Sequence, residues 1–368
     1  MDEAAGSGGF HSERRGVEQA LVDQCSSTAY SLAKSTFAAA KSLGISIVGV
    51  DGGFANVINV GGVRIAITSD GIGTKAEVAE RVGKYDTLGF DLVAMVADDL
   101  VAVGAEPFAL SNVIDADRLD VAVVEAMMRG LASAASASGL VVTGGEIAAL
   151  GRRVGGHGLG AHVNWCATAL GLIPEGREAI SGQSVRAGDV VVALQNEGLR
   201  SNGLTLARSI LETAFGNSWH EAPNAGRAWG ERLLTPSVVY APAVCELLRS
   251  GVPIHGVAHV TGGGIPANLG RILVGRGVGA VLDGLFPPDA WVAELARLGS
   301  VSPFEAYGQW NMGNGMLLVL PGCDADRAVS ALASARVASR VAGNIVQGGE
   351  IAVDARAWGM GVVRYRVE

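Results

Sequence analysis

The most informative stretch of the chain is Ser69–Lys75, which reads Ser-Asp-Gly-Ile-Gly-Thr-Lys and follows an alternating apolar run over 63–67. The run predicts a buried strand, so the heptapeptide would place an acid, two glycines, a hydroxyl and an ammonium at one sheet edge. Glycine N–H groups can approach a polyphosphate, Thr74 and Lys75 can bind its oxygens, and Asp70 can hold the accompanying magnesium ion. The stretch therefore predicts a nucleotide site; because it lacks the Walker spacing, a plain strand-end turn is the alternative.

Further carboxylates lie inside or at the ends of apolar segments, where an acid is costly. Asp98 and Asp99 are adjacent within the apolar segment 93–103, and burying a carboxylate without a counter-charge costs several kcal/mol. Either one acid faces solvent while the other caps a loop, or the pair serves a ligand. Another apolar run ends in Gly144-Gly145-Glu146. Because magnesium prefers carboxylate oxygens, we predict that its ligands are Asp70, Asp98, Asp99 and Glu146.

Two glycine-bearing loops in the second half have the composition of anion-binding loops. Ser201-Asn202-Gly203 opens a predicted helix and can present N–H groups to an anion, although a Ser or Asn helix cap reads the same. Ala258–Gly264 ends in three consecutive glycines, whose ordering costs more backbone entropy than a connector would usually incur. We predict that this loop contacts phosphate or ribose and that His259 belongs to the site; a purely structural histidine is the alternative.

Composition excludes several classes of protein. The 368 residues carry a formal net charge of −8 without a run of Lys or Arg, so no nucleic-acid partner is expected. Apolar residues make up 49%, and the 53 glycines form no repeat, which favours a folded enzyme over collagen or a disordered chain. No window of about 18 residues is uninterruptedly apolar, so no membrane span is predicted. Four widely spaced cysteines and an acidic start predict a reduced, cytoplasmic protein.

The periodicity predicts two units of mixed helix and strand, an α/β or α+β fold. We predict a tail and helix over 1–50, a first domain over 51–176 and a second over 177–368, because the polar, turn-rich segment 174–189 separates the two patterns. A helix over 17–42 would end at Gly44. Other predicted strands lie at 62–69, 190–194, 278–282 and 316–320, and other predicted helices at 88–103, 120–138, 204–215, 236–249, 266–274 and 324–335.

In their order along the chain, the motifs resemble those of the aminoimidazole ribonucleotide synthetase family, the phosphoribosylformylglycinamidine cyclo-ligases. The resemblance covers nearly the whole chain from Gly52. It is carried by residues 52–54, 69–75, 84–89, 91–95, 98–100, 104–107, 144–146, 201–203, 258–264 and 311–313.

The resemblance implies a two-domain, ATP-binding synthetase-like fold, with an N-terminal sheet that forms a dimeric β-barrel in a homodimer and a C-terminal mixed sheet with helices. It also implies that ATP and Mg²⁺ activate the formyl oxygen of a phosphoribosyl substrate as a phosphate leaving group, after which an amidine nitrogen closes the imidazole ring. By position, the implied catalytic residues are Lys75, Asn202 and His259. The implied nucleotide-binding residues are Asp70, Gly71, Gly73, Thr74, Lys75, Asp99, Gly144, Gly145, Glu146, Thr261, Gly262 and Gly263.

The chain also departs from the family pattern. Arg200 stands where the family has a histidine, and Asp98-Asp99 stands where it has Asn-Asp. Ile147–Gly151 replaces Thr-Ala-Glu-Met-Pro, and Asn112-Val113 replaces an Asp-Tyr pair. Two alternatives therefore stay open: a paralogue that phosphorylates or dehydrates another small molecule, as thiamine monophosphate kinase does, and a nucleotide-binding dimer without turnover.

Overall fold

The computed structural model describes Leu21 and residues 24–48, 52–358 and 361–367. Residues 24–34 are helical, and the chain continues through the short helix α1 (Phe37–Ala40) and a 3-10 turn (Lys41–Leu43). Gly44 follows with a left-handed φ of 69°, which ends the helical segment where the sequence predicts. The start of the predicted helix over 17–42 lies outside the described residues.

The first sheet has six strands in the order β1-β2-β3-β6-β4-β5, of which only β4 and β5 run parallel to each other. The strands are β1 (Ile45–Val48), β2 (Asn56–Val60), β3 (Val63–Gly71), β4 (Glu106–Ala116), β5 (Val141–Ala149) and β6 (Val163–Ile173). Strand β1 lies in the segment predicted as tail and helix, so that prediction missed the first strand of the sheet. The strand has only four residues and lies between Gly44 and Gly49, so its alternation is too short to detect.

One face of this sheet is covered by helices. The helices on this face are α2 (Lys75–Val82), α3 (Leu88–Ala102) and α4 (Val121–Ala137). Helix α3 packs against β3, β4 and β6, and α4 packs on α3. In β6 the residues on the helix side, such as Trp165 and Ala167, are buried, whereas Leu172 on the other side is 42% exposed. The described part of the chain places no helix on that second face, which we call the outer face.

The second sheet has seven strands in the order β10-β12-β7-β13-β11-β14-β15. It is mixed, because β11 and β14 are parallel and the other pairs are antiparallel. Its strands are β7 (Asp189–Gln195), β10 (Gly256–His259), β11 (Val278–Leu282), β12 (Asn314–Pro321), β13 (Ser339–Gln347), β14 (Glu350–Asp354) and β15 (Val362–Arg366); β8 (Pro223–Asn224) and β9 (Arg227–Ala228) form a separate hairpin.

Seven helices accompany the second sheet in the described residues: α5 (Leu204–Phe215), α6 (Trp229–Leu233), α7 (Ala241–Arg249), α8 (Gly264–Leu273), α9 (Ala290–Leu298), α10 (Pro303–Gln309) and α11 (Ala325–Ser334). Short 3-10 turns lie at Gly151–Arg153, Trp219–Glu221, Gly322–Asp324 and Arg356–Trp358. The predicted domain division between 176 and 177 falls between the last strand of the first sheet and the first strand of the second. None of the described helices is both long and apolar enough to cross a bilayer.

The predicted helix over 236–249 begins later than expected, at Ala241. Buried side chains of the first half hold the preceding backbone in a non-helical course: Lys75 Nζ donates to the carbonyl of Thr235 at 2.7 Å, and the N–H of Ser237 donates to Asp91 at 3.1 Å. These long-range contacts compete with helix formation, and no local pattern encodes them.

Helix α3 is the central element of the molecule. Every one of its residues except Phe90 is buried, because it contacts the first sheet on one side and β10 and α7 of the second half on the other. Its partner α4 approaches closely at two glycines: a Cβ on Gly89 would lie 2.1 Å from Leu131 N, and a Cβ on Gly130 would lie 2.1 Å from Asp86 O. The small residues therefore set the distance between the two helices.

We expect Gly130→Ala to lower the free energy of unfolding by about 2 kcal/mol or more, because the added methyl forces backbone atoms apart in a packed region. Gly308→Ala is the matched control, since Gly308 also lies in a helix but its Cβ would meet no atom within 4 Å. This control should be neutral or stabilise by up to about 1 kcal/mol. Urea unfolding of both variants measures the difference; equal midpoints would contradict this account of the helix contact.

Candidate active site

The candidate site lies where α3 meets the second half of the chain, with Asp98 at its centre. Asp98 Oδ2 accepts a hydrogen bond from Arg200 Nη2 at 2.7 Å, and both side chains are fully buried. Asp98 Oδ1 accepts the backbone N–H groups of Tyr240 and Ala241, each at 2.9 Å. Because a buried carboxylate is tolerated only when it is paired and hydrogen-bonded, these contacts explain how an apolar helix carries this acid.

This ion pair joins two positions at which the sequence departs from the family it resembles. Arg200, in place of a histidine, lies against Asp98, in place of an asparagine, so that an opposite charge balances each of the two substitutions. Arg200 has a left-handed φ of 59°, which is uncommon for a long side chain. Gly315 leaves room for the guanidinium, since a Cβ there would lie 2.9 Å from Arg200 Nη1.

His259 is fixed in one tautomer by its two neighbours. Arg200 Nη2 lies 3.0 Å from His259 Nε2, and Asp99 Oδ1 lies 2.8 Å from His259 Nδ1. A guanidinium can only donate, so Nε2 must accept and the ring proton must be on Nδ1, from which it is donated to Asp99. Burial, together with the charge of Arg200, lowers the pKa of His259 to about 3, so the ring is neutral. Both ring nitrogens are thus occupied by protein partners.

Among the described residues, Asp99 and Asp70 form a pair of acids that have no Lys or Arg within ion-pair distance. Burial raises the pKa of Asp99 to about 7, although a hydrogen bond from Thr68 and the charges of Arg271 and Arg200 oppose the rise. Burial also raises the pKa of Asp70 to about 6; the N–H of Gly71 opposes this and the charge of Asp99 adds to it. Two neighbouring carboxylates held in this way are a donor set that suits a hard divalent cation such as Mg²⁺.

The second half brings Asn202 and the three-glycine loop to the same place. Asn202 Nδ2 lies 3.6 Å from the Met95 sulfur on α3, and a Cβ on Gly262 would lie 3.6 Å from Asn202 Oδ1. The loop Thr261–Gly263 is held by Asn268, whose amide donates to the carbonyls of Gly262 and Gly264 at 3.2 and 2.7 Å. The structure therefore gathers Asp70, Asp98, Asp99, Asn202, His259, Thr261, Gly262 and Gly263 at one junction.

Lys75 lies in the interior. Its side chain is fully buried, and Nζ donates to Asp91 Oδ1 at 2.8 Å and to the carbonyl of Thr235 at 2.7 Å. Burial lowers the pKa of Lys75, and the charge of Asp91 opposes that change. This placement differs from the predicted contact with phosphate and gives the ammonium a structural partner.

The remaining glycines and hydroxyl of the heptapeptide lie at the end of β3. Gly71 continues the strand rather than a loop, and a Cβ there would lie 2.8 Å from the carbonyl of Trp165. Gly73 and Thr74 line an open cavity of about 620 Å³ together with Arg153. The prediction of a site at Ser69–Lys75 therefore identified residues at the edge of a cavity. The predicted loop began too early, because residues 69–71 still belong to strand β3.

The structure does not bring Glu146 to the other predicted metal ligands. Across the sheet, Asp70 is opposite Ala167, Ala167 is opposite Asn112, and Asn112 is opposite Gly145, so Glu146 lies three strands away and one residue further along β5. Successive residues face opposite sides of a sheet, which places Glu146 on the outer face with Gly144 and Gly145 beside it. Within the described ranges, no three His, Cys, Asp or Glu side chains are grouped to hold a metal ion.

Several residues of the site were missed by the sequence analysis, although two carried a readable signal. Asp91 is seven residues before Asp98 and therefore lies on the same helix face two turns away. Thr68 is two residues before Asp70 and therefore shares its side of the strand. Tyr240 and Arg271 reach the site only through tertiary packing, and no spacing in the sequence predicts their presence there.

Comparison with known proteins confirms the resemblance. Residues 52–173 match the AIR synthase related protein, N-terminal domain, and residues 186–356 match its C-terminal domain. A curated relative from Thermococcus kodakarensis is 36% identical over 86% of this chain and 90% of its own length, and one from Sorangium cellulosum is 36% identical over 83% and 88%. Both relatives are named phosphoribosylformylglycinamidine cyclo-ligase.

Solved structures support the fold. The hydrogenase maturation protein HypE, in a crystal structure of the HypE–HypF complex, has a TM-score of 0.61 at 17% identity over 86% of this chain and 93% of that chain. T. maritima PurL complexed with FGAR has a TM-score of 0.59 at 15% identity over 87% of this chain and 48% of that chain. At these identities the likeness concerns the fold alone, and it confirms the predicted α/β architecture.

A double-mutant cycle tests whether Asp98 and Arg200 act as one unit. We expect Asp98→Asn and Arg200→His each to lower the free energy of unfolding by about 3–5 kcal/mol, because each leaves an uncompensated buried charge. The double variant should lose less than the sum of the two, by at least about 1 kcal/mol. Chemical denaturation of the four proteins measures the coupling.

The exposed pair Glu125 and Arg129 on α4 provides the control cycle, because its side chains are 65% and 69% exposed. Glu125→Gln and Arg129→His should change the free energy of unfolding by less than about 1 kcal/mol each. Additive losses at Asp98 and Arg200 would show that the two substitutions are independent.

Proposed function

We propose that this chain, which belongs to the phosphoribosylformylglycinamidine cyclo-ligase family, closes the imidazole ring of aminoimidazole ribonucleotide at the expense of ATP. Family membership over both domains supports the reaction. The observation that carries the assignment of the site is the contact of Asp99 from the first half with His259 from the second, next to Asn202, which contacts Met95 on the same helix as Asp99. Nucleotide and substrate would lie in the cleft between these groups.

In the proposed reaction, the formyl oxygen of the substrate attacks the γ-phosphorus of ATP, and ADP leaves. The amidine nitrogen then attacks the activated carbon, the nitrogen loses a proton, and phosphate departs with the former formyl oxygen. Catalysis of such a transfer is mostly positioning and charge neutralisation. Magnesium bound with ATP would supply part of that neutralisation, and Asp70 and Asp99 are the residues that would hold it.

The other residues have supporting parts in this proposal. The N–H groups of the loop Thr261–Gly263 and the amide of Asn202 would bind phosphate or ribose oxygens. His259 would act as a positioning residue, since its Nδ1–H orients Asp99 while Arg200 occupies its other nitrogen. Lys75 would stabilise the segment 235–240 from the interior.

A cytoplasmic location is also part of the proposal. The cysteines Cys25, Cys166, Cys245 and Cys323 are all free thiols, which suits a reducing compartment.

Incubation with formylglycinamidine ribonucleotide and MgATP tests the activity, with aminoimidazole product and phosphate measured separately. We expect both to form in equal amounts. Phosphate release without the aminoimidazole would favour a paralogue with another substrate, and ATP binding without any release would favour a nucleotide-binding dimer. Asp70→Asn should weaken Mg²⁺-dependent ATP binding by about tenfold or more, equivalent to about 1.4 kcal/mol.

The control for this variant is Asp326→Asn, which removes the same charge from an exposed position on α11. Its ATP affinity should match that of the wild type in isothermal titration calorimetry. Unchanged affinity in Asp70→Asn, with the circular dichroism spectrum preserved, would remove Asp70 from the proposed metal site.

We further propose that the outer face of the first sheet binds a second copy of the chain. Apolar residues run across it in register: Ile47 is opposite Ile58, Ile58 is opposite Ile65, and Ile65 is opposite Leu172. Val60 and Leu172 are 39% and 42% exposed. An apolar sheet face of this extent is a typical interaction surface, and pairing with its own copy would complete the predicted barrel.

Leu172→Glu should convert the dimer to a monomer, because it buries a charge in the proposed interface. Val121→Glu is the control, since Val121 is 85% exposed on α4 and lies away from the outer face. Size-exclusion chromatography with light scattering measures the mass of each. A monomeric wild type, or a Leu172→Glu variant that stays dimeric, would contradict this interface.

A further inference from the structure

We propose that a cavity between α8 and β15 binds the phosphomonoester end of the phosphoribosyl substrate, an inference that rests on the proposed function. The cavity has a volume of about 720 Å³, within the usual range of ligand pockets. Arg271 projects from α8, and Arg364 and Arg366 project from β15; no acidic side chain lines the cavity. The site therefore offers three guanidinium groups in a chain whose net charge is −8.

Among the residues that the structure describes, these arginines lack a close, buried ion pair, although Arg271 is near enough to Asp99 for its charge to oppose the rise in the pKa of that acid. Arg364 Nη1 lies 3.5 Å from Glu350 Oε2 in an exposed pair, and exposed pairs contribute little. In the described part of the chain, Arg271 and Arg366 have no carboxylate within ion-pair distance. Guanidinium groups bind phosphate oxygens through paired hydrogen bonds, so a cluster of three suits a dianionic phosphate.

The other residues that line the cavity are apolar or aromatic. Phe304 and Tyr365 stack with their ring centroids 4.5 Å apart, and the Tyr365 hydroxyl donates to the carbonyl of Phe304 at 2.6 Å. The hydroxyl is therefore already satisfied, and the stacked pair presents ring surface. Such a wall suits the carbon skeleton of a sugar next to a phosphate.

The cavity lies next to the candidate active site, and the buried Phe54 ring separates the two. The guanidinium of Arg271 lies 4.9 Å from the centroid of the Phe54 ring, and that ring lies 6.3 Å from the His259 imidazole. A narrow second cavity is lined by Gly52, Phe54 and Arg271 and thus shares residues with the large one. For a substrate with its phosphate at the arginines to reach Asp99 and His259, the Phe54 ring must turn aside, since the void beside it holds only about 20 Å³.

The position of the arginine-lined cavity, away from Asp70 and Asp99, also gives the phosphoribosyl substrate and ATP separate places to bind. The acids Asp70 and Asp99 attract the magnesium that accompanies the nucleotide, whereas the arginines attract a phosphate without a metal. The structure thus favours the substrate phosphate at the cavity and the nucleotide phosphates at the acids. Binding of ATP phosphates in the cavity is the competing outcome that the experiment must distinguish.

The test is a double variant, Arg364→Gln with Arg366→Gln, in the full-length protein. We expect its KM for formylglycinamidine ribonucleotide to rise by about tenfold or more, which corresponds to about 1.4 kcal/mol of lost binding, with kcat and the KM for MgATP within about twofold of wild type. Arg129→Gln is the control, because Arg129 is 69% exposed on α4 and its loss removes one positive charge far from the cavity. Its kinetic constants should stay unchanged.

Direct binding separates this inference from the proposed function. Ribose 5-phosphate, titrated by calorimetry, should bind the wild type and lose about tenfold or more in affinity in the double variant. If ring closure is absent but this loss is seen, the function proposal fails and the phosphate site stands. An unchanged substrate KM together with unchanged ribose 5-phosphate affinity, or a rise confined to the KM for MgATP, would overturn the phosphate site.

Discussion

Two buried carboxylates on one face of α3 hold the two halves of the chain together. Asp91 accepts hydrogen bonds from Lys75 and from the backbone of Ser237, and Asp98 accepts them from Arg200 and from the backbone of Tyr240. Each acid thus forms an ion pair with one cationic side chain and accepts a backbone hydrogen bond from the segment that precedes α7. Apolar contact between α3 and β10 is non-directional, whereas these hydrogen bonds fix the relative position of the two sheets. The arrangement of the site follows from this relative position of the two sheets.

The same relative position of the two sheets places the adjacent side chains of Asp98 and Asp99 in opposite chemical environments. Asp98 points toward Arg200 and has its charge balanced within the protein, whereas Asp99 is turned by about 100° around the helix and receives only hydrogen bonds from Thr68 and His259. Burial without a dedicated cation raises the pKa of Asp99 to about 7 and that of nearby Asp70 to about 6. Asp98 therefore stabilises the fold, whereas Asp99 remains able to bind a cation that comes from solution.

The sequence predicted the parts of the molecule that local periodicity and short motifs encode. Helix α3, strand β11 and the turn at Gly203 appear nearly where the patterns put them, because apolar spacing and glycine conformation act within a few residues. The role of Lys75 could not be read in this way. Its type and position suit a phosphate, but its partner Asp91 is sixteen residues away and its other contact, Thr235, lies in the second half. The position of Glu146 could not be predicted either, since only the strand order reveals that two strands, β6 and β4, separate it from Asp70.

The electrostatics of the cleft are divided between its two ends, and this division constrains the orientation of ligands. Asp70 and Asp99 disfavour a bare phosphate and favour a cation, while Arg364 and Arg366 do the reverse; Arg271 lies between them, since it lines the cavity and its charge also acts on Asp99. A reaction between two phosphate-bearing molecules needs each to bind in only one place, and charge alone can discriminate a metal-bound polyphosphate from a metal-free monoester. The neutral, tautomer-fixed His259 lies between the two ends. Because it adds no charge of its own, the net charge of this region is set by the acids and arginines around it.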